Sequence, residues 1–553
     1  MAEYKVTITT GEMMWGGTFD NVFITLVGTE GESERTMLNE GRDFAGNSGK
    51  EYIVKCESAL GKIILIGIEK EPYLFLPDDD WFCAKVKVIT PEKEELHFPC
   101  YRWIKERHLV FIREGKALTP FKEEDDKLIL MRQAELETQK KAYQWKEFIE
   151  KLPYCIAADD AKELPPDLQF TFDRSMEFLL NFYVTMAELK CKFLADSKKP
   201  WANLSDISGV FWFNKTETFT YVQEHWKEDP FFGYQFLNGA NPMVIQCCKK
   251  LPETFPVTED MVQSSLKGSA LALEMMNGNI FLCDYKLLLD LPTNVINMRP
   301  QHVVAPICLF HRTAEDKIVP IAIQLRQEPG ELSPIFLPSD SEEDWLLAKV
   351  YVRAADFIEH QLHYHLLRTH LLAEAYCLAT LRNLPTVHPV YKLLIPHTRF
   401  TVHINLQWRE KIMSKDGFFP KYTATGSDGM VEALKRAYPT VTYRSLCLPE
   451  NIEDRGLKDV PNFYYRDDGL ALWDILFKYV DGVMRFFYKS DAEVALDKEL
   501  QDWILDIFTH GFLKNAESGI PQAFQSVDKA VKFLTMVIFN MTAQHSAVNS
   551  GQV

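Results

Sequence analysis

The sequence predicts a multidomain β + α protein: an antiparallel β-sandwich of about 110 residues followed by a large, mainly α-helical body. Three observations carry this. Short alternating apolar runs fill the first 113 residues, a charged connector follows at 113–126, and longer segments with helical periodicity take over from there. Domain limits are set at 1–115 and 116–553.

The strand segments, in order, are YKVTITTG, NVFITLVG, EYIVKC, KIILIGIEK, CAKVKVIT, LHFPCYRWI and HLVFIRE, separated by acidic or Gly-rich loops. Two of these loops, MMWGGTFDN (13–21) and EPYLFLPDDDW (71–81), set large aromatic or apolar side chains beside carboxylates. One reading is a pair of solvated turns with their aromatics folded back onto the sandwich. The other makes Asp20, Asp78 and Asp79 hard oxygen ligands for Ca²⁺. Loops neutralised in this way would lay Trp15, Phe75 and Trp103 into a lipid interface.

The second domain starts with LILMRQAELETQKKAYQWKEFIEKL and reads as one large helical body, with FGYQFLNGANP (232–242) and YYRDDG (464–469) as turn-rich links. A 64.0 kDa chain with 46% hydrophobic residues can bury a large core. A formal charge of −17 argues against nucleic acid as a partner. The eleven cysteines show no CxxC spacing, which suggests reduced thiols and a cytoplasmic protein. No basic segment followed by an apolar core opens the chain, and no run of about 18 apolar residues predicts a membrane span.

Histidine is the outstanding feature of the helical body. HQLHYHLLRTH (360–370) holds four of the fourteen, inside a Pro- and Gly-free segment (341–383) that reads as one long buried helix with Ser341 and Asp344 as its cap. Each buried imidazole needs partners for two nitrogens, and a metal relieves that demand. His363 and His370 share a face, as do His360 and His363. His365 and His370 lie about 140° apart at roughly 100° per residue, so they converge only where the helix takes a π turn. Imidazole and oxygen donors without thiolate leave Fe, Zn, Cu or Ni open. A second helix, 527–553, carries His545 and Asn549 one turn apart.

The segment WLLAKVYVRAADFIEHQLHYHLLRTHLLAEAYCLATLRNLPTVHPVYKLLIPHTRFTVHIN resembles the iron helix of animal lipoxygenases, and QHSAVNSGQ is similar to the family's second iron motif. FGYQFLNGANP, GNIFLCDY, APICLF, KIVPIAIQL, PIFLPSD, YYRDDG and FPCYRW extend the likeness from residue 3 to the last, nearest to arachidonate 5-lipoxygenase-like vertebrate enzymes. The resemblance implies a PLAT (C2-like) sandwich joined to a lipoxygenase domain. It also implies one non-haem iron on His365, His370, His545 and the amide oxygen of Asn549, with Gln361 and Gln552 as their hydrogen-bonding partners. The implied reaction removes hydrogen from the bis-allylic methylene of a polyunsaturated fatty acid and adds O₂ to give a hydroperoxide. Leu366 matches the leucine over the substrate, and Phe178 and Phe182 match an entrance plug. Reversible membrane association through the sandwich completes the expectation.

Several positions depart from the family pattern. Trp408 stands where the family has a small Ala or Gly linked to stereochemistry, so a hydroperoxide isomerase making epoxyalcohols is an alternative. Tyr422 and Thr423 differ from the deep-pocket residues of the 5-lipoxygenating enzyme, and Phe19 replaces an Asp of the first calcium loop. The family's last ligand is the carboxylate of a C-terminal Ile, whereas this sequence stops at Val553. The expectation is a truncated or splice form lacking that ligand, with an inactive lipid- or partner-binding variant as a further alternative.

Overall fold

The computed structural model describes residues 2–11, 16–38, 44, 49–72, 80–104, 109–165, 168–170, 174–177, 179–180, 183, 202–208, 216–414 and 417–550. Its contacts divide into two compact units. One comprises Met1–Tyr143, Asp160–Val184 and Leu381–Leu393, the other Gln144–Asp159, Thr185–Thr380 and Leu394–Val553.

In the first unit the alternating runs form β1 (Ala2–Thr10), β2 (Asn21–Gly28), β3 (Thr36–Met37), β4 (Gly49–Cys56), β5 (Ile63–Glu71), β6 (Trp81–Ile89), β7 (Glu95–Ile104) and β8 (Val110–Arg113). They pair antiparallel in two sheets of order β4-β1-β6-β7 and β3-β2-β5-β8. Residues two apart share a face of a strand, so Tyr4, Val6 and Ile8 of one sheet meet Val22, Ile24 and Leu26 of the other in a single core. Each such aliphatic side chain contributes about 1.5–3 kcal/mol on burial. The N–H of Trp81 is satisfied inside this core by Thr10 Oγ1, at 3.0 Å. Helix α1 (Asp126–Ala142) is capped by Asp125, whose side chain accepts from the backbone N–H groups of Lys127 and Leu128. It seats Leu128 against Val27, Ile64 and Leu65.

The sandwich interior also holds a charge pair. Lys70 follows Ile66 and Ile68 at period two on β5, and its ammonium lies 3.0 Å from Asp20 Oδ2, both side chains being buried. Asp20 is thus committed to a cation of the chain itself, which differs from the open loop position the sequence suggested. Trp103 is half-buried and packs edge-on against Phe82, with ring centroids 5.4 Å apart. Trp15, Phe75, Asp78 and Asp79 lie outside the described residues.

The second unit is mostly helical, with a five-stranded antiparallel sheet in the order Gln246–Cys247, Ile280–Asp284, Ile307–Arg312, Ile318–Gln324, Ile335–Phe336. Short continuous apolar runs such as IFLCD build it, since strands buried on both faces lose their alternation. Two segments read as turn-rich links are helical, the first over 232–238 with bends and turns only from 239 to 242, the second throughout. Asp229–Asn238 is a helix because Phe232, Phe236 and Leu237 fall on one buried face, and YYRDDG opens the helix Tyr464–Phe487, where Asp467 suits the positive N-terminal end.

Candidate functional site

The central segment is one continuous helix in three parts: Glu342–Glu359 (α), His360–Leu371 (π) and Leu372–Asn383 (α). Ser341 caps it, its Oγ accepting from the Asp344 N–H at 3.1 Å. The π part is longer than the single turn expected, and its wide bonding shows at its end, where the Leu372 N–H reaches Leu367 O. Bonding from i to i+5 brings residues five apart nearly into line. His365 and His370 therefore face each other, with their Nε2 atoms 3.1 Å apart.

The C-terminal segment follows the same design. Val527–Phe539 is α-helical, Asn540–Gln544 is π, and His545–Ser550 is α again. His545 directly follows the π turn and sets its Nε2 3.1 Å from that of His370. The remaining histidines of the crowded helix have other work. His360 Nε2 donates to the Val548 carbonyl over 2.8 Å and ties the two helices together. His363 accepts from Arg368 Nε at 3.3 Å, with Glu359 near its other nitrogen.

Burial, and then the neighbouring His370 and His545, push the His365 imidazole down to about 2, and burial followed by His545 brings His370 to about 4. His545 is also lowered by burial. All three rings are neutral near pH 7 and offer lone pairs. One lone pair on His370 Nε2 serves a single N–H donor well, yet two other imidazole nitrogens lie equally near it. A shared cation satisfies all three: imidazole–metal bonds of about 2.1 Å at right angles separate two nitrogens by about 3.0 Å. The donor set therefore fits a metal.

The orientation of His370 is fixed from behind. Its Nδ1 lies 2.9 Å from Asn405 Oδ1 on the helix Thr401–Trp408. The Asn405 amide cannot be turned round, because its nitrogen donates to His370 O at 2.8 Å and to Glu374 Oε2 at 2.9 Å. Nδ1 of His370 consequently carries the proton, leaving Nε2 bare toward the centre.

Residues 124–553 match the lipoxygenase family, and residues 4–113 match the PLAT/LH2 domain. The chain belongs to the lipoxygenase family. It is 40% identical to the hydroperoxide isomerase ALOXE3 of Mus musculus over 595 residues, spanning 100% of this chain and 84% of the relative. It is equally 40% identical to the human (Homo sapiens) polyunsaturated fatty acid lipoxygenase ALOX15B over 560 residues, spanning 100% and 83%. Among solved structures, the coral 8R-lipoxygenase superimposes with a TM-score of 0.94 at 34% identity, covering 100% of this chain and 82% of that one. That structure relates calcium activation to a C2-like domain. Lipoxygenases are oxidoreductases of the dioxygenase type, and the family implies a non-haem iron, which the three-imidazole set fits.

The other expected lipoxygenase residues fall as follows. Gln361 Oε1 stands 3.5 Å from His365 Nδ1, at the outer edge of hydrogen bonding. Leu366 is buried beside His365. Trp408 is half-buried, with its ring edge-on to Phe419 at 6.0 Å. Asn549 is exposed one turn beyond His545. Phe178, Phe182 and Gln552 lie outside the described residues. Sequence reasoning passed over Asn405 and Glu374. A lone glutamate in the apolar run LLAEAYCLATL was the signal for the second.

Proposed function

We propose that this lipoxygenase is an iron-dependent enzyme of polyunsaturated fatty acids, converting an arachidonate-like acid and O₂ to a lipid hydroperoxide. The convergence of three neutral imidazole nitrogens within a buried π-helical wall carries the reading. His365, His370 and His545 would hold the iron, with the Asn549 amide oxygen as a fourth donor and Gln361 and Gln552 behind them. When bound, iron supplies the one-electron oxidation that removes hydrogen from the bis-allylic carbon. The chain's own part is to exclude water and hold the acid in place. Leu366, next to the first ligand, presents an apolar surface for the pentadiene, and a dry wall protects a carbon radical from side reactions. Phe178 and Phe182 are assigned to the entrance. Iron content and O₂ uptake with conjugated-diene formation on C18 to C22 polyunsaturated acids test this reading. Wild-type protein with stoichiometric iron that does neither would sink it.

A second reading of the same centre, hydroperoxide isomerisation to epoxyalcohol, is favoured by Trp408. The resemblance puts Trp408, three residues after Asn405 on one helix, where the family has a small Ala or Gly, and the indole is assigned to narrowing the route for O₂. Trp408→Ala is expected to raise O₂ uptake relative to epoxyalcohol formation by about tenfold, or 1.4 kcal/mol. An unchanged ratio removes Trp408 from that role.

The sandwich is proposed to bring the enzyme reversibly from the cytoplasm to membranes. No described helix is long and apolar enough to cross one. Asp78 and Asp79 are assigned to Ca²⁺, and Trp15, Phe75 and Trp103 to the lipid surface. Asp20 is the weaker ligand of the three, because a cation would have to displace the Lys70 ammonium. Liposome sedimentation in Ca²⁺ should fall when Asp78 and Asp79 are changed to Asn, and calcium-independent binding of both proteins would end the assignment.

A further inference from the structure

The Glu374 carboxylate is fully buried and receives four N–H donors. Its Oε1 accepts from the Ile156 backbone at 3.1 Å and from Arg409 Nη2 at 3.1 Å. Its Oε2 accepts from Asn405 Nδ2 at 2.9 Å and from Arg409 Nη1 at 2.8 Å. Arg409 is buried as well, so the bidentate pair works in a low-dielectric setting where removal of one partner is costly. The phenyl ring of Phe148 lies 5.7 Å from the Arg409 guanidinium, so two residues of the stretch Gln144–Asp159 touch this pair.

We infer that Glu374 and Arg409 are positioning residues for the metal centre: through Asn405 they select the His370 tautomer that leaves Nε2 free to bind iron. The inference rests on the iron reading above. Its logic is one of acceptors. Asn405 must give its oxygen to His370 because two acceptors, His370 O and Glu374 Oε2, claim its nitrogen. Arg409 holds the carboxylate where both its oxygens can serve, and the Ile156 N–H fixes the remaining lone-pair direction. A glutamine at 374 would have one acceptor only. That oxygen goes to Arg409 and Ile156, and its NH₂ then faces Asn405. With only the His370 carbonyl still claiming its nitrogen, the Asn405 amide is no longer held in one orientation, and when it turns over it presents its own NH₂ to His370 Nδ1 and drives the proton to Nε2, where it blocks the metal.

The experiment is iron retention against a chelator, with ¹⁵N spectra of the apo histidines as a direct view of the tautomer. Glu374→Gln should lose iron 10- to 100-fold more readily, the range expected of groups that orient a metal ligand. Adding Asn405→Asp to Glu374→Gln gives the His370 Nδ1–H and the NH₂ of the introduced glutamine an acceptor each, with one carboxylate oxygen now facing the His370 carbonyl in place of an N–H, and should raise retention at least about threefold above Glu374→Gln alone. A purely structural role for Glu374 would not respond to that second change. Asn405→Leu, which leaves the Glu374–Arg409 pair whole, should lose iron to the same degree and covers the case in which Glu374→Gln does not fold. Wild-type protein without iron would overturn the iron reading itself. Iron in the wild type and undiminished retention in Glu374→Gln or Asn405→Leu would overturn this inference alone.

Discussion

His365→Ala loses its iron and at least about 1,000-fold in turnover, equivalent to about 4 kcal/mol. The reason lies in how the ligands are held. His365 and His370 come from one rigid π-helical segment and His545 from a second helix bound to the first through His360 and the Val548 carbonyl. Little can shift to replace a missing imidazole, and alanine leaves two nitrogens for an ion that needs more. Leu362 and Leu366 on the same segment are buried and apolar, so they offer no donor to take its place. Elemental analysis and O₂ uptake on arachidonate check the result. His302→Ala, at an exposed position outside the cluster, should match wild type in both. An His365→Ala protein with full iron and normal turnover would remove this residue from the centre.

The second large effect concerns stability. Asp20→Ala takes away the carboxylate that lies 3.0 Å from the buried Lys70 ammonium and should destabilise the sandwich by about 3–5 kcal/mol. Asp20→Leu combined with Lys70→Met removes both charges and keeps the volume. It should recover most of that loss, because the original pair gives up to desolvation much of what it gains by attraction. Denaturant unfolding of the full chain, followed by hydrogen exchange of the sandwich strands, provides the reading. Equal stability of Asp20→Ala and wild type would show that Lys70 finds another partner when the aspartate is gone.

Legibility in the sequence followed the range of the interactions. The sandwich strands were plain because alternation is a local pattern, and the crowding of histidines was plain for the same reason, whereas spacing alone left several pairs open and the resemblance to the iron helix singled out His365 and His370. The need for a π turn could even be argued from the angle between them. What stayed hidden depends on distant partners. Asn405 and Arg409 reach His370 and Glu374 across more than thirty residues, and nothing in TVHINLQWRE marks which side chain turns inward. The partner of Asp20 was hidden for a related reason. Its loop offered a solvated turn or a calcium site, whereas the ion pair depends on a lysine on β5 placed on the core face by the Ile66, Ile68, Lys70 alternation. The short strands of the second unit were absorbed into a helical reading because a continuous apolar run carries no phase.

The π segment His360–Leu371 has one further consequence, for changes in chain length rather than in side chains. A residue inserted between His365 and His370 would set them six apart, about 120° out of line in ordinary α turns, and would break the facing pair. A residue deleted there would set them four apart, which ordinary α turns bring to one face without any widening. The wide turns are therefore what lets this chain keep one residue more between the two histidines, and the spacing tolerates loss better than gain.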